Sequence, residues 1–334
     1  MNFKRDGIVF YSSQTKPFSK TKKVFLTIDV MAIVTLLLIL LSPNELGKKY
    51  LDQTGINSSY TESDQIIALD NIDSDLYVDT IEHKRSDNSF EEEIINKDSN
   101  QPYKLVELTI DNYRAFMLIV YNPANVKLMT GNGFDTPNNT GKLTLTNMVK
   151  KNGALAGING GGFFDNGEVT TDRPNGYIIK DGKIIWDMPG RVGSLIGFNN
   201  DNELTLINAT GEEAINMGMR DAVEFGPFLI VNGVVTPEAY KMGDYQAARV
   251  VIAQRADGVV LMLATDGGSF NGPRMSEIVN TLYKYGAINA ANLDGGTSAQ
   301  LVVGDKNYVK VNDKEGTTLV YGRPVVNGFG VFAN

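Results

Sequence analysis

The 334-residue sequence contains no cysteine, one histidine and one tryptophan. Without cysteine there is no disulfide, no thiolate nucleophile and no thiolate-bound zinc. The single histidine, His83, falls in a strongly acidic stretch where an exposed side chain is the plain reading, so proton transfer is left to carboxylates. A basic face is missing too. The net charge is -8 and the sequence pI about 4.9, whereas a phosphate backbone selects clustered Lys and Arg, which argues against a nucleic-acid partner. No internal repeat is present. An exported chain free of cysteine fits, on composition, a Gram-positive type of envelope. With 42% hydrophobic residues there is material for one sizeable core plus appendages.

The first hundred residues divide by composition. Residues 1–23 form a polar, basic tail carrying Lys4, Arg5, Lys16, Lys20, Lys22 and Lys23, and residues 24–41 are almost wholly apolar. About 18 residues rising about 1.5 Å each reach about 27 Å, close to the roughly 30 Å hydrocarbon core of a bilayer. Residues 24–41 are therefore expected to be a transmembrane anchor. The basic residues before it predict a single-pass protein of the cell membrane, with a cytoplasmic N-terminus and an extracellular C-terminal domain. Lys48 and Lys49 oppose this weakly. A cleaved signal peptide is the competing reading, but no small-x-small site follows in Leu41-Ser42-Pro43-Asn44-Glu45, which favours an uncleaved anchor. Residues 42–101 are polar and acidic, with Glu91-Glu92-Glu93 at their densest, and read as a stalk because burial there cannot offset the entropy of ordering.

Residues 102–334 read as one α+β domain, rich in sheet with a few flanking helices. Tyr103 to Ile110, Arg114 to Tyr121, Tyr177 to Trp186, Glu203 to Ile207, Phe228 to Val235, Val250 to Gln254, Val259 to Ala264 and Val325 to Phe332 are rich in β-branched and aromatic residues. Asp181-Gly182, Asn232-Gly233 and Asp257-Gly258 sit between such runs as two-residue hairpin turns. Helices are expected over Leu145 to Asn152, Glu212 to Val223 and Ser276 to Tyr285, the last with Ser276 as N-cap and Gly286 as its stop.

Two glycine loops stand out. Ala290-Ala291-Asn292-Leu293-Asp294-Gly295-Gly296-Thr297-Ser298 places an acid, two glycines and two hydroxyls after an apolar run, and Gly157-Ile158-Asn159-Gly160-Gly161-Gly162-Phe163-Phe164-Asp165 repeats the device. Glycines let backbone N–H groups turn outward into a concavity that suits an anion. A lone Asp-Gly turn would explain either loop by itself. Together with Gly226-Pro227 at a strand entry, Arg249 opening a strand and Arg323 before the last one, the two loops resemble the phosphodiester glycosidase family in order and spacing over roughly the last two thirds of the chain. Thr297 stands where the family usually has a third glycine, and Gly162 adds one to the first loop.

The resemblance implies a membrane-anchored hydrolase cleaving a sugar-1-phosphodiester or related cell-surface glycan, with a place in exopolysaccharide biosynthesis or processing. A third acid-glycine ending, Thr265-Asp266-Gly267-Gly268-Ser269, suggests that three strand ends converge on one pocket. Cleaving a sugar acetal needs an acid for the leaving oxygen and a base or nucleophile, so Asp294 and Asp266 are the expected catalytic pair. Asn159, Gly160, Gly161, Gly295, Gly296, Thr297 and Ser298 would bind substrate, with Arg249 and Arg323 on the phosphate because a guanidinium donates two parallel hydrogen bonds. Arg173 is a weaker third cation. Glu277 is explained as well by the helix dipole as by a site. Phe163, Phe164 and Trp186 are candidates for stacking on a sugar face, with core packing the alternative. Asp266 and Asp294 have the oxygens a divalent cation takes, but no EF-hand spacing supports one and no metal or cofactor is assigned. No protein partner is indicated. The alternative function is a non-catalytic glycan-binding or assembly factor for surface polysaccharide that uses the same pocket without turnover; a third is a membrane-tethered scaffold.

Overall fold

The computed structural model describes residues 102–166 and 169–333. The basic tail, the apolar segment 24–41 and the acidic stretch 42–101 with His83 lie outside the described residues. Among the described residues no helix is long and apolar enough to cross a membrane.

The centre is a seven-stranded antiparallel sheet in the order β1 (Tyr103–Ile110), β2 (Tyr113–Val120), β15 (Val260–Thr265), β14 (Val250–Arg255), β17 (Ala287–Leu293), β12 (Phe228–Val231) and β13 (Val234–Val235). Its middle strands are apolar on both sides because both faces are covered. Successive side chains of a strand point to opposite faces. Met117 and Ile119 of β2 accordingly join Val251, Leu261 and Leu263 in one cluster, while Phe116, Leu118 and Val120 join Val250, Ile252 and Met262 in another.

The first face is closed by α4 (Met275–Lys284), through Met275, Ile278, Val279 and Leu282, and by the short α3 (Pro237–Lys241) through Ala239. Two five-stranded sheets cover the second face. One runs β19 (Lys306–Asn307), β18 (Leu301–Val303), β4 (Ala156–Asn159), β22 (Asn327–Val331), β3 (Val126–Thr130); the other runs β10 (Leu204–Ala209), β9 (Gly193–Asn199), β11 (Met219–Glu224), β7 (Ile178–Lys180), β8 (Lys183–Trp186). The helix α1 (Leu145–Asn152) packs Leu145, Met148 and Val149 against Met129 and Val302. Two small pairings complete the fold: β5 (Phe163–Asp165) with β6 (Thr170–Pro174), and β16 (Gly267–Gly268) with the hairpin of β20 (Val311–Asn312) and β21 (Thr318–Leu319). The domain is sheet-rich with four α-helices among the described residues, as expected for an α+β reading.

Local chemistry explains where expectation and structure part. The segment Glu212 to Val223 is not one helix: α2 (Gly211–Asn216) starts in a capping box between Thr210 and Glu213 and ends before Gly218, whose φ of +86° turns the chain into β11. Nor is Ser276 the cap of α4. Arg274 holds that place, its backbone N–H and Nε both donating to Asp111 Oδ2 at 3.0 Å, while Gly286 at φ +78° ends the helix as expected. The turns at Asp181-Gly182 and Asn232-Gly233 have positive φ at both residues and close the β7–β8 and β12–β13 hairpins.

Candidate active site

The two glycine loops meet at one edge of the packed sheets. The central strand β17 ends at Leu293 and hands over to Asp294, whose N–H donates to the carbonyl of Gly160 at 2.9 Å just beyond the end of β4. Asn159 is fully buried and fastens the same junction, its Nδ2 donating to the Asp294 carbonyl at 2.6 Å and its Oδ1 accepting from the Gln300 N–H at 2.9 Å. Glycine is required here for close approach: a Cβ on Gly160 would lie 2.2 Å from Asn327 Oδ1, and one on Gly295 would lie 2.4 Å from the Ala248 carbonyl.

Those contacts also correct an expectation. The N–H of Gly160 donates to the Asn327 carbonyl, that of Gly161 to Asn327 Oδ1 and that of Gly296 to the Ala248 carbonyl, so these amides are spent inside the protein and form no anion floor. What the loops provide instead is a fixed exit for Asp294.

Asp294 opens into a cavity of about 610 Å³ shared with Asp165, Asn166, Thr170, Ser269, Gly295, Thr297, Leu319 and Arg323, together with Asp313, Lys314 and Glu315 of the β20–β21 hairpin. Its volume lies within the roughly 300–1,000 Å³ usual for small-molecule sites. Arg323 joins the two acids: Nη1 pairs with Asp165 Oδ2 at 2.5 Å, Nη2 lies 3.9 Å from Asp294 Oδ2, and Nε donates to Ser298 Oγ at 2.8 Å. The Ser298 hydroxyl is in turn hydrogen-bonded to Asp294. Burial raises the Asp294 carboxyl above the ordinary carboxylate range, against the opposing pull of Ser298 and Arg323, and the charge of Asp165 adds to the rise.

Arg323 is held by its surroundings. Gln300, fully buried, donates to its carbonyl at 2.9 Å and accepts from the Leu145 N–H at 3.0 Å, and Gly322 at φ +69° packs so tightly on the Gln300 side chain that a Cβ would lie 2.2 Å from it. The guanidinium rests over Phe163, 4.8 Å from the ring centroid, with Phe163 itself buried.

Other expected site residues lie elsewhere. Asp266 does not line the cavity: Asp266 Oδ1 accepts from the Lys310 N–H at 2.7 Å, Arg114 and Glu107 act on it electrostatically, and burial raises its pKa. Arg249 is 4% exposed, donates to the Tyr245 carbonyl at 2.5 Å and leaves Nε buried without a partner, and burial pushes its guanidinium down to about 10. It borders the Asp294 loop from behind, its Cα 3.6 Å from where a Gly295 Cβ would stand, but it does not line the cavity. Arg173 pairs with Asp135 at 3.6 Å, Glu277 with Arg274 at 3.4 Å, and Trp186 packs edge-on against Phe134 at 5.8 Å between centroids. Phe164 is half-exposed. The acid that shares the cavity and Arg323 with Asp294 is Asp165, which ends the first glycine loop. Its signal was the repeat itself, acid after glycines, in both loops.

A second cavity of about 560 Å³ lies at the far end of β14 and β17, walled by Gln254, Arg255 and Asn289. Its amides are consumed internally, Gln254 Oε1 accepting from Leu204 and Asn289 Oδ1 from Asn232, and it holds no comparable pair of joined acids.

The sequence profile of the phosphodiester glycosidase family matches residues 152–332, just over half of the chain. The chain belongs to that family. The matched span holds β4, β17 and β22, and so Asp165, Asp294, Ser298 and Arg323. In fold the chain is similar to the catalytic domain of zebrafish N-acetylglucosamine-1-phosphodiester alpha-N-acetylglucosaminidase, solved as auto-inhibited by its pro-peptide, with a TM-score of 0.57 and 18% identity over 71% of this chain and 86% of that one. A hypothetical protein from Synechocystis shares the fold at a TM-score of 0.50 and 16% identity, over 70% and 62% of the two chains. Among curated proteins it is similar to the SPbeta prophage-derived uncharacterized protein YomE of Bacillus subtilis strain 168, 28% identical over 187 residues, which are 52% of this chain. The match spans 28% of that relative's length.

Proposed function

We propose that this chain hydrolyses a sugar-1-phosphodiester or a related cell-surface glycan, with Asp294 as the acid and Asp165 as the base. The observation that carries the reading is the joining of the two carboxyls by Arg323 within one cavity. Family membership and the activity named for the zebrafish enzyme support it, and fold likeness alone would not. In the step envisaged, water attacks the anomeric carbon and the C1–O bond breaks. The electron pair goes to the phosphate oxygen, which takes the proton held by Asp294, while the Asp165 carboxylate accepts one from the water. The products are a free sugar and a phosphate monoester. Arg323 and Thr297 face the same space, Thr297 assigned to the substrate and Arg323 to holding the two acids in place. Asn159, Gly160, Gly161, Gly295, Gly296 and Ser298 shape the pocket.

Anchoring through residues 24–41, an extracellular domain and a role in exopolysaccharide biosynthesis or processing belong to the same proposal and are supported by the sequence pattern alone. The test is release of sugar from a panel of glycosyl phosphodiesters and envelope glycans by the purified full chain. No release from any of them sinks the hydrolase. One feature favours the second reading, a glycan-binding or assembly factor: Thr297 in place of the family's third glycine. Fragment binding without product, unchanged in Asp294→Asn, would establish that reading instead.

A further inference from the structure

Lys142 is a cation bonded to the wall of the Asp294 cavity that the family signature does not reach. It precedes the matched span and sits in a loop whose place is set by Asp172. That fully buried carboxylate accepts from the N–H groups of Thr136 at 3.2 Å and Gly141 at 2.9 Å. Gly141 leaves no room for a side chain, since a Cβ would lie 2.2 Å from the Gly133 carbonyl and 2.6 Å from Asp172 Oδ2. The chain therefore delivers Lys142 to one spot. There its Nζ donates to Thr170 Oγ1 at 2.8 Å and to the Thr170 carbonyl at 3.1 Å, and Thr170 is a wall of the Asp294 cavity. The ammonium lies 5.3 Å from the centroid of Phe163, the ring that carries Arg323 at 4.8 Å.

Arg323 is already occupied by Asp165, Ser298 and Asp294. A phosphodiester entering this cavity brings a negative charge that needs a cation not yet committed. Lys142 answers that description: its hydrogen bonds go to a neutral threonine, and among the described residues no carboxylate lies within ion-pair distance of it. Burial lowers its pKa, Asp172 and Asp165 resist this, and Arg323 adds to it, as for an ammonium sharing a site with a second cation. Lys142 itself stands behind the Thr170 wall, whereas Lys314, which does line the cavity, is exposed on the β20–β21 hairpin.

We propose that Lys142 is the phosphate-binding residue of this site, receiving a non-bridging oxygen of the substrate's phosphate while Arg323 holds the two acids in place. This rests on reading the cavity as a phosphodiester site. The compact, strongly hydrated ammonium of lysine binds phosphate as a point charge and needs no forked geometry.

The experiment titrates the full chain by calorimetry with the α-1-phosphates of glucose and N-acetylglucosamine, with inorganic phosphate, and with the two free sugars. Lys142→Met is expected to weaken sugar 1-phosphate binding at least tenfold and to leave free-sugar binding and the melting temperature where they were. Lys142→Arg should restore most of the loss, and Lys314→Met should cost little. Equal weakening of sugar and sugar phosphate, no weakening at all, or a wild type that binds no phosphate ester overturns the proposal. Lys142-dependent binding in a protein that releases no sugar from any phosphodiester keeps this site and removes the hydrolase. Hydrolysis with phosphate binding indifferent to Lys142 does the reverse.

Discussion

The side-chain amide of Asn159 donates to the backbone carbonyl of Asp294 at 2.6 Å, across 135 positions of sequence. One buried residue thus locks the end of β4 to the end of β17, and both glycine loops become parts of one wall. The residue is a joint between loops, placed behind the cavity rather than in it.

Asn159→Ala would leave the Asp294 carbonyl and the Gln300 N–H buried without partners, each costing about 1–3 kcal/mol. Urea denaturation should show a loss of that order with an unchanged slope, accompanied by a fall in activity. A variant within about 0.5 kcal/mol of wild type would mean that the junction is held by other contacts.

The assignment of the acids makes a separate demand on rates. General acid or base groups are commonly worth about 10²- to 10⁴-fold, so Asp294→Asn and Asp165→Asn should each fall in that range while remaining folded. Asp266→Asn should stay within about threefold, because its carboxyl is bonded to the Lys310 amide outside the cavity. Should Asp266→Asn prove the most damaging of the three, Asp165 is not the second acid.

Much of this was readable in advance where local chemistry decides. The limits of β1 and of α1 follow from turn and capping residues, and the hairpins at Asp181-Gly182 and Asn232-Gly233 need only φ above zero at two positions. The glycine-containing β9 is not marked by the sequence pattern, because seven residues with glycine inside carry little alternation. Choosing between Asp266 and Asp165 was beyond local reading. Three strands end in acid and glycine alike, and which carboxyl faces the cavity depends on how separate sheets stack. Lys142 was hidden for the same reason: its position is set by Asp172, which lies thirty-one residues from the Gly141 amide it binds.

Asp172 also predicts acid sensitivity. Burial works against its ionised form, but hydrogen bonds from Thr136 and Gly141 outweigh it and hold the carboxyl below its ordinary value. A depressed folded-state pKa gives stability that is present above the unfolded value of about 3.9 and lost as pH falls through the folded one. Thermal melts should therefore drop on acidification below about pH 4, and Asp172→Asn should be weaker than wild type near neutrality with a shallower acid decline. Parallel decline in both proteins would assign the acid limb to other carboxylates.

Asp294 carries the opposite sign. Its pKa is raised by burial, so the proton needed by the leaving oxygen is lost only as pH climbs past the usual carboxylate range, and kcat/KM should fall on that basic limb. Ser298 and Arg323 both favour the charged form, so Ser298→Ala should move the limb to higher pH. Linkage supplies a check that needs no substrate. A raised folded-state pKa means stability fully present below about 3.9 and lost as pH rises through the folded value, because a buried charge must then form. Asp294→Asn keeps the shape and removes that charge, so its melting temperature should exceed that of wild type at about pH 8 and approach it at acid pH. If the variant melts lower at about pH 8, the carboxylate is ionised and stabilised by Arg323 in the folded protein, and Asp294 has no proton to give.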